Sequence, residues 1–220
     1  MTQLEGELQE LKKEVINMWN LVLSQLEKSR SAMLQFDTNL AREIVLREKR
    51  VNALELKIDL DCENIFALFC PVAIDLRFLL AVLKINNNLE RIGDIAEGIA
   101  KYIITSNGEY DPSLFEATEL MLMYDDAINI LTDTRLAFEK EDTIMARGIF
   151  KRDEVLDKIN MKANDRIVEY IKADSGVLTD ALNVLSIIRK LERVGDQSKN
   201  IAEEIIFYVE AKVLKHQGRQ

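Results

Sequence analysis

Acidic side chains recur along this chain at intervals that would stack them on one helical face. Glu90 and Asp94 are four residues apart, and Glu97 follows three residues later. Side chains at i, i+4 and i+7 project from the same side of a helix. A second row, Glu48, Asn52, Glu55 and Asp59, is spaced four, three and four. Like charges at such spacings oppose helix formation by roughly a few tenths of a kcal/mol per pair. Two rows facing each other in an antiparallel helix pair would therefore need a counter-charge. Oxygen-only ligand sets suit hard cations such as Mg²⁺, Ca²⁺, Mn²⁺ or iron. The alternative reading is a charged helix edge facing water.

Both rows occur twice. Leu89 to Ile104 reads LERIGDIAEGIAKYII and Leu191 to Ile206 reads LERVGDQSKNIAEEII, with nine of sixteen positions identical at an offset of 102. Glu90 and Asp94 thus map onto Glu192 and Asp196. At an offset of 105, Glu48, Asn52, Glu55 and Asp59 map onto Asp153, Asp157, Asn160 and Asn164. The copies differ in charge. Arg189 and Lys199 stand three residues from Glu192 and Asp196, close enough on a helix for salt bridges, and Asn160 and Asn164 replace two acids. Cation binding is therefore expected in the first copy. Gly93 and Gly195 occupy matching mid-helix positions, each costing about 1 kcal/mol relative to alanine. That repeated cost suits the close approach of a neighbouring helix or a ligand. Arg91 and Arg193 follow the acids directly. Arginine pairs well with phosphate, and surface ion pairing is the simpler use.

Six long helices account for these rows. Leu4, Leu8, Leu11, Val15, Met18 and Val22 mark an amphipathic first helix. A second begins near Asp37, carries Ile44, Val51, Leu54, Ile58, Cys62, Ile65 and Phe69, and ends before Pro71. Val82, Ile85, Leu89, Ile92, Ala96, Ile99 and Ile103 mark a third, which stops near Ser106-Asn107-Gly108. The fourth opens at Asp111-Pro112-Ser113, where Ser113 and Glu116 read as a capping box, and continues through Tyr124, Ile128, Leu131 and Phe138. The fifth runs from about Asp142 to Ala173, and Asp174-Ser175-Gly176 breaks it. The sixth starts near Val177 and repeats the third in Val184, Ile187, Leu191, Val194, Ser198, Ile201 and Ile205. The expected fold is all-α: two tandem three-helix bundles with antiparallel long helices, at residues 1–106 and 112–220.

Composition agrees. Of 220 residues, 8 are Gly and 2 are Pro, well under the average usage of about 12%, which favours few, long helices. The formal net charge of -9 makes nucleic acid a poor partner. Cys62 and Cys70 lie eight apart, roughly 12 Å along one helix. That is too far for a disulfide, so they are expected to be buried small hydrophobes of a cytoplasmic protein. Trp19, Met18, Met33, Met121 and Met123 are expected to fill the core or an interface. His216 is the only histidine, so nucleophile–His catalysis and His/Cys zinc sites lack their groups; no enzymatic role is expected. The opening residues Met1 to Glu7 have no basic or apolar region, so no signal peptide is expected. The longest apolar run, Ile65 to Ile74, is too short to span a bilayer. A homodimer through exposed apolar positions is compatible with such long helices.

The doubled LERIGD and LERVGD segments resemble the signature of the PhoU family of phosphate-transport accessory and regulatory proteins. The lead-in Pro71-Val72-Ala73-Ile74-Asp75-Leu76-Arg77 resembles the family's proline followed by Asp-Leu-Arg, and Lys84-Ile85-Asn86-Asn87-Asn88 also fits. Where the family usually has Arg-Gln before the proline, this chain has Phe69-Cys70. The resemblance implies two similar three-helix bundles with multinuclear metal sites, iron or zinc in some members, on acidic helix faces. By position, Glu90, Asp94, Glu192 and Asp196 fall on the signature acids. Glu55 and Asp59 fall on the second-helix acids, in the row with Glu48, and Asp153 and Asp157 are approximate counterparts. The resemblance further implies an adaptor that represses phosphate-starvation signalling, between the ATPase subunit of a phosphate ABC transporter and a membrane sensor histidine kinase. PhoU-like domains also accompany sodium–phosphate cotransporters, which leaves a second pathway open, as does a carboxylate-bridged metalloenzyme.

Overall fold

The structure, a computed structural model, describes residues 2–173 and 175–214. His216 lies outside them. The described residues form α1 (Gln3–Gln35), α2 (Thr38–Phe69), α3 (Ala73–Thr105), α4 (Pro112–Thr118), α5 (Leu120–Lys140), α6 (Thr143–Ala173) and α7 (Leu178–Glu210), with a 3₁₀ turn at Ser175–Val177. No strand occurs among the described residues. None of the described helices is long and apolar enough to cross a membrane.

The connections that reverse α1 into α2 and α5 into α6 are built alike. Phe36 and Glu141 each adopt a left-handed conformation, with φ of 49° and 56°. This conformation costs a side-chain-bearing residue roughly 1–2 kcal/mol, and hydrogen bonds to the last helical carbonyls offset it. The Phe36 and Asp37 amides both donate to the Ala32 carbonyl, as the Glu141 and Asp142 amides do to that of Ala137. Asp37 then caps α2 by accepting from the Asn39 and Leu40 amides at 3.0 and 2.9 Å. Asp142 accepts from Ile144 and Met145, both at 2.9 Å. The 105-residue offset therefore extends back into α1 and α5.

Each copy packs its three long helices together, and α3 lies against α7 while α1 lies against α5. The apolar series expected for α3 and α7 are buried at every position. Trp19 belongs to both halves: its indole N–H donates to the Leu131 carbonyl at 3.2 Å, and its ring lies 5.7 Å from that of Phe138. Met18, Met33 and Met123 are buried, with Met121 partly so.

Three expectations are corrected. The fourth helix is two, because Glu119 turns left-handed (φ 57°) between α4 and α5. The cap of α4 is Asp111, which accepts from the Ser113 amide at 2.9 Å with Pro112 in the first turn. Pro112 has no amide hydrogen to leave unsatisfied there. The Ser113 hydroxyl instead meets the Tyr170 hydroxyl at 2.7 Å. Cys62 is buried but Cys70 is exposed; both are free thiols. Cys70 sits at the left-handed C-cap of α2 (φ 47°), where the chain leaves the core.

Candidate metal centre

In the first copy, α2 brings Glu48, Glu55 and Asp59 against α3, which carries Glu90, Asp94 and Glu97. Glu48 lies deepest, with 4% of its surface exposed. Its Oε2 accepts from the Gln25 amide at 3.1 Å, while its Oε1 is buried without a hydrogen-bond partner. Gly93 makes room for it: a Cβ there would lie 3.1 Å from both Glu48 oxygens. Burial raises the Glu48 pKa to about 7, and Asp94, Glu97 and Glu90 add to the rise against the Gln25 hydrogen bond. Glu55 is raised by burial, then by Asp59 and Asp94. Glu90 is raised by burial, then by Asp94 and Glu55, with Arg91 opposing. The two rows therefore face each other, as their spacing predicts.

Basic partners are scarce along this face. Glu97 pairs with Lys101 at 2.5 Å. Asp59 accepts from the buried Asn86 amide at 2.8 Å, which also donates to the Glu55 carbonyl at 2.9 Å. Among the described residues, Glu48, Glu55, Glu90 and Asp94 form no ion pair. Asn52 is exposed on the same row.

The second copy places a lysine beside its buried acid, although Asp153 Oδ1, like Glu48 Oε1, is buried without a hydrogen-bond partner. Asp153, at Glu48's place, is 2% exposed, and the Lys199 ammonium pairs with it and, at 2.8 Å, with Asp196. Lys199 stands where the first copy has Glu97. Burial opposes its charge, but these ion pairs win and raise its pKa. Burial also raises Asp153, against Lys199. Glu192 is raised by burial and by Asp196, Asp157 and Asp153. A Cβ on Gly195 would collide with the Asp153 carboxylate. Asn160 is half-buried in its row. Arg189, expected beside Glu192, instead donates to Asn164 at 3.2 Å, because the amide at 164 faces it across the α6–α7 seam.

The first copy fits a cation by the chemistry of its donors: oxygens only, one of them buried and unpartnered, under mutual repulsion. The side chains are not gathered around a point, since among the described residues no three Asp, Glu, His or Cys groups converge as metal ligands would. Exposed carboxylates such as Asp94 change rotamer readily, so the rows present donors in reach of one another without a closed shell. Two contributors escape a reading of the acid rows. Gln25 arrives from α1, and its one sequence signal is a polar residue inside the apolar stripe of Val22, Leu26 and Met33. Asn86 similarly interrupts the apolar face of α3.

Comparison with known proteins agrees with this architecture. The PhoU domain family model matches residues 15–103 and 120–205. The phosphate-specific transport system accessory protein PhoU of Edwardsiella tarda is 32% identical over 216 residues, 98% of this chain and 88% of that protein. The crystal structure of PhoU from Pseudomonas aeruginosa superposes with a TM-score of 0.86 at 28% identity, covering 96% of this chain and all of that one. The phosphate transport system regulatory protein PhoU of Streptococcus pneumoniae gives 0.87 at 26% identity, covering 96% and 99%. Doubled three-helix bundles, doubled signatures and end-to-end likeness converge: this chain belongs to the PhoU family.

Proposed function

We propose that this chain is a non-catalytic accessory and regulator of phosphate uptake, whose acidic face in the first copy binds a hard cation. The likeness to relatives named for phosphate-specific transport, running over nearly the whole chain, carries the first part. The second rests on the unpartnered Glu48 oxygen in a face where, among the described residues, Glu48, Glu90 and Asp94 form no ion pair, whereas Lys199 pairs with Asp153 in the other copy. In this reading Glu48, Glu90 and Asp94 hold the ion, and Glu55 and Asp59 extend the site along α2. Iron, zinc, manganese, magnesium and calcium are the ions to compare. A bound cation would neutralise the repulsion between the rows and fix their side chains. In the second copy, Asp157 and Glu192 form no ion pair among the described residues, but Lys199 holds Asp153 and Asp196 and its charge also acts on Glu192, so that copy binds weakly or not at all.

The adaptor role follows the same reading. The protein acts in the cytoplasm at the membrane surface, through the ATPase subunit of a phosphate ABC transporter and a sensor histidine kinase. Deleting the gene in phosphate-replete cells is expected to switch on phosphate-starvation transcripts, and unchanged transcripts would refute the regulatory role. For the cation, thermal unfolding is followed with each metal after chelator treatment. A stabilising shift that is lost in Glu48→Gln with Asp94→Asn is expected; no shift with any ion would remove the cation from the reading.

A further inference from the structure

Where α3 crosses α7, a groove of about 310 Å³ is walled by Arg91, Asp94, Glu97 and Lys101 from α3 and by Lys190 and Arg193 from α7. The two helices are antiparallel here, since Lys84 meets Glu204, Asn88 meets Asn200, and Lys190 meets Gly98. The last two contacts exchange under the 102-residue offset, so the seam lies on the local twofold relating the copies. Arg91 and Arg193 are equivalent residues that reach this seam from opposite copies.

The symmetry is broken in a way that gathers positive charge. On one side of the axis two neutral amides meet, Asn200 donating to Asn88 at 3.5 Å. On the other side, Lys190 lies over Gly98, and a Cβ on that glycine would be 2.6 Å from the ammonium nitrogen. The missing side chain is what admits the cation against α3. The protein carries a net charge of -9, so acids are in excess. Even so, among the described residues Arg91, Lys190 and Arg193 form no ion pair.

We propose that this groove binds a phosphate-type oxyanion. Two guanidinium forks match pairs of tetrahedral oxygens, and the lysines add point charge. Asp94 and Glu97 on the same walls supply selectivity. Near neutral pH phosphate keeps a proton, and its hydroxyl can donate to a carboxylate. Sulfate has no such proton and meets only repulsion from these two groups.

Asp94 belongs both to this wall and to the proposed cation row, so the test uses the full chain in chelator, where no cation competes for that carboxylate. Equilibrium dialysis and thermal unfolding are run with inorganic phosphate, glycerol phosphate and sulfate. Inorganic phosphate is expected to bind and sulfate not to compete. Glycerol phosphate that competes assigns the groove to esterified phosphate; if it does not, the free ion is the ligand, and both results keep the oxyanion site. Arg91 and Arg193 are exposed, so Arg91→Gln with Arg193→Gln should fold normally and weaken binding by about tenfold or more. Gly98→Ala, which displaces Lys190, should weaken it less. Absence of binding, equal binding of sulfate, or unchanged affinity in the double variant would each overturn the proposal.

Discussion

A methyl group placed on Gly93 would sit 3.1 Å from each carboxylate oxygen of Glu48 and 3.2 Å from the Val51 side chain. The helices α2 and α3 meet where one lacks a side chain and the other buries an acid. Gly195 and Asp153 repeat the arrangement more tightly, since a Cβ on Gly195 would lie 2.7 Å from Leu156 Cδ1. In Gly93→Ala, the helix-propensity gain of about 1 kcal/mol should nearly cancel the crowding. Gly195→Ala should destabilise by about 1–3 kcal/mol, because Lys199 holds Asp153 in place and nothing can yield. Urea unfolding compares them, and a Gly195→Ala protein as stable as its parent would refute the packing argument.

Protonation of Glu48 sets a pH dependence. Its carboxyl titrates at about 7 in the fold, raised from 4.5 chiefly by burial. The folded state therefore holds a proton that the unfolded chain has lost between those values. Stability is greatest below pH 4.5 as far as this group is concerned, and falls as pH rises through 7, by on the order of 3 kcal/mol. Glu55, Glu90, Asp153 and Glu192, all raised, act in the same direction. Denaturation of cation-free protein between pH 5 and pH 8 should show the decline, and Glu48→Gln should make it shallower by the Glu48 share. A parallel decline in the variant would place its cause elsewhere.

Lys199 is the built-in counter-charge of the second copy. Replacing it by methionine leaves Asp153 buried beside Asp196 without a cation. Lys199 is partly exposed, so the expected loss is about 2 kcal/mol, below the range for a fully buried pair. Adding Asp153→Asn should recover part of it, and a double-mutant cycle measures the coupling. Lys199→Glu, which copies the charge at Glu97, should give the second copy a stabilising response to divalent cations that the parent lacks there.

The duplicated caps should behave as independent equals. Asp37→Ala and Asp142→Ala each remove an acceptor for two amides and should cost about 1 kcal/mol. The two sites lie at different connections, so the double variant should lose the sum. Chemical denaturation of the three proteins checks additivity; a cost at one cap alone would show that the copies differ in how their second helices are held.

Sequence alone determined the helical periods, the 102-residue duplication and the place of each acid row beside its apolar stripe. Apolar residues every three or four positions can be buried together only as one helical stripe, and an acid row beside that stripe must flank the core. Tertiary structure decided which acid in each row goes under. Glu48 and Asp153 are buried where α2 and α6 pass a glycine on the next helix, while Glu55 stays at the margin, because depth depends on how closely two helix axes approach. It also decided the partners, Gln25 from α1 for one acid and Lys199 from α7 for the other, since residues far apart in the chain meet only after packing. The repeat of α1 in α5 is carried by backbone conformation at Phe36 and Glu141, which two unlike side chains can share, so the letters conceal it. The left-handed break at Glu119 and the exposure of Cys70 are likewise set by where the chain must turn around the core.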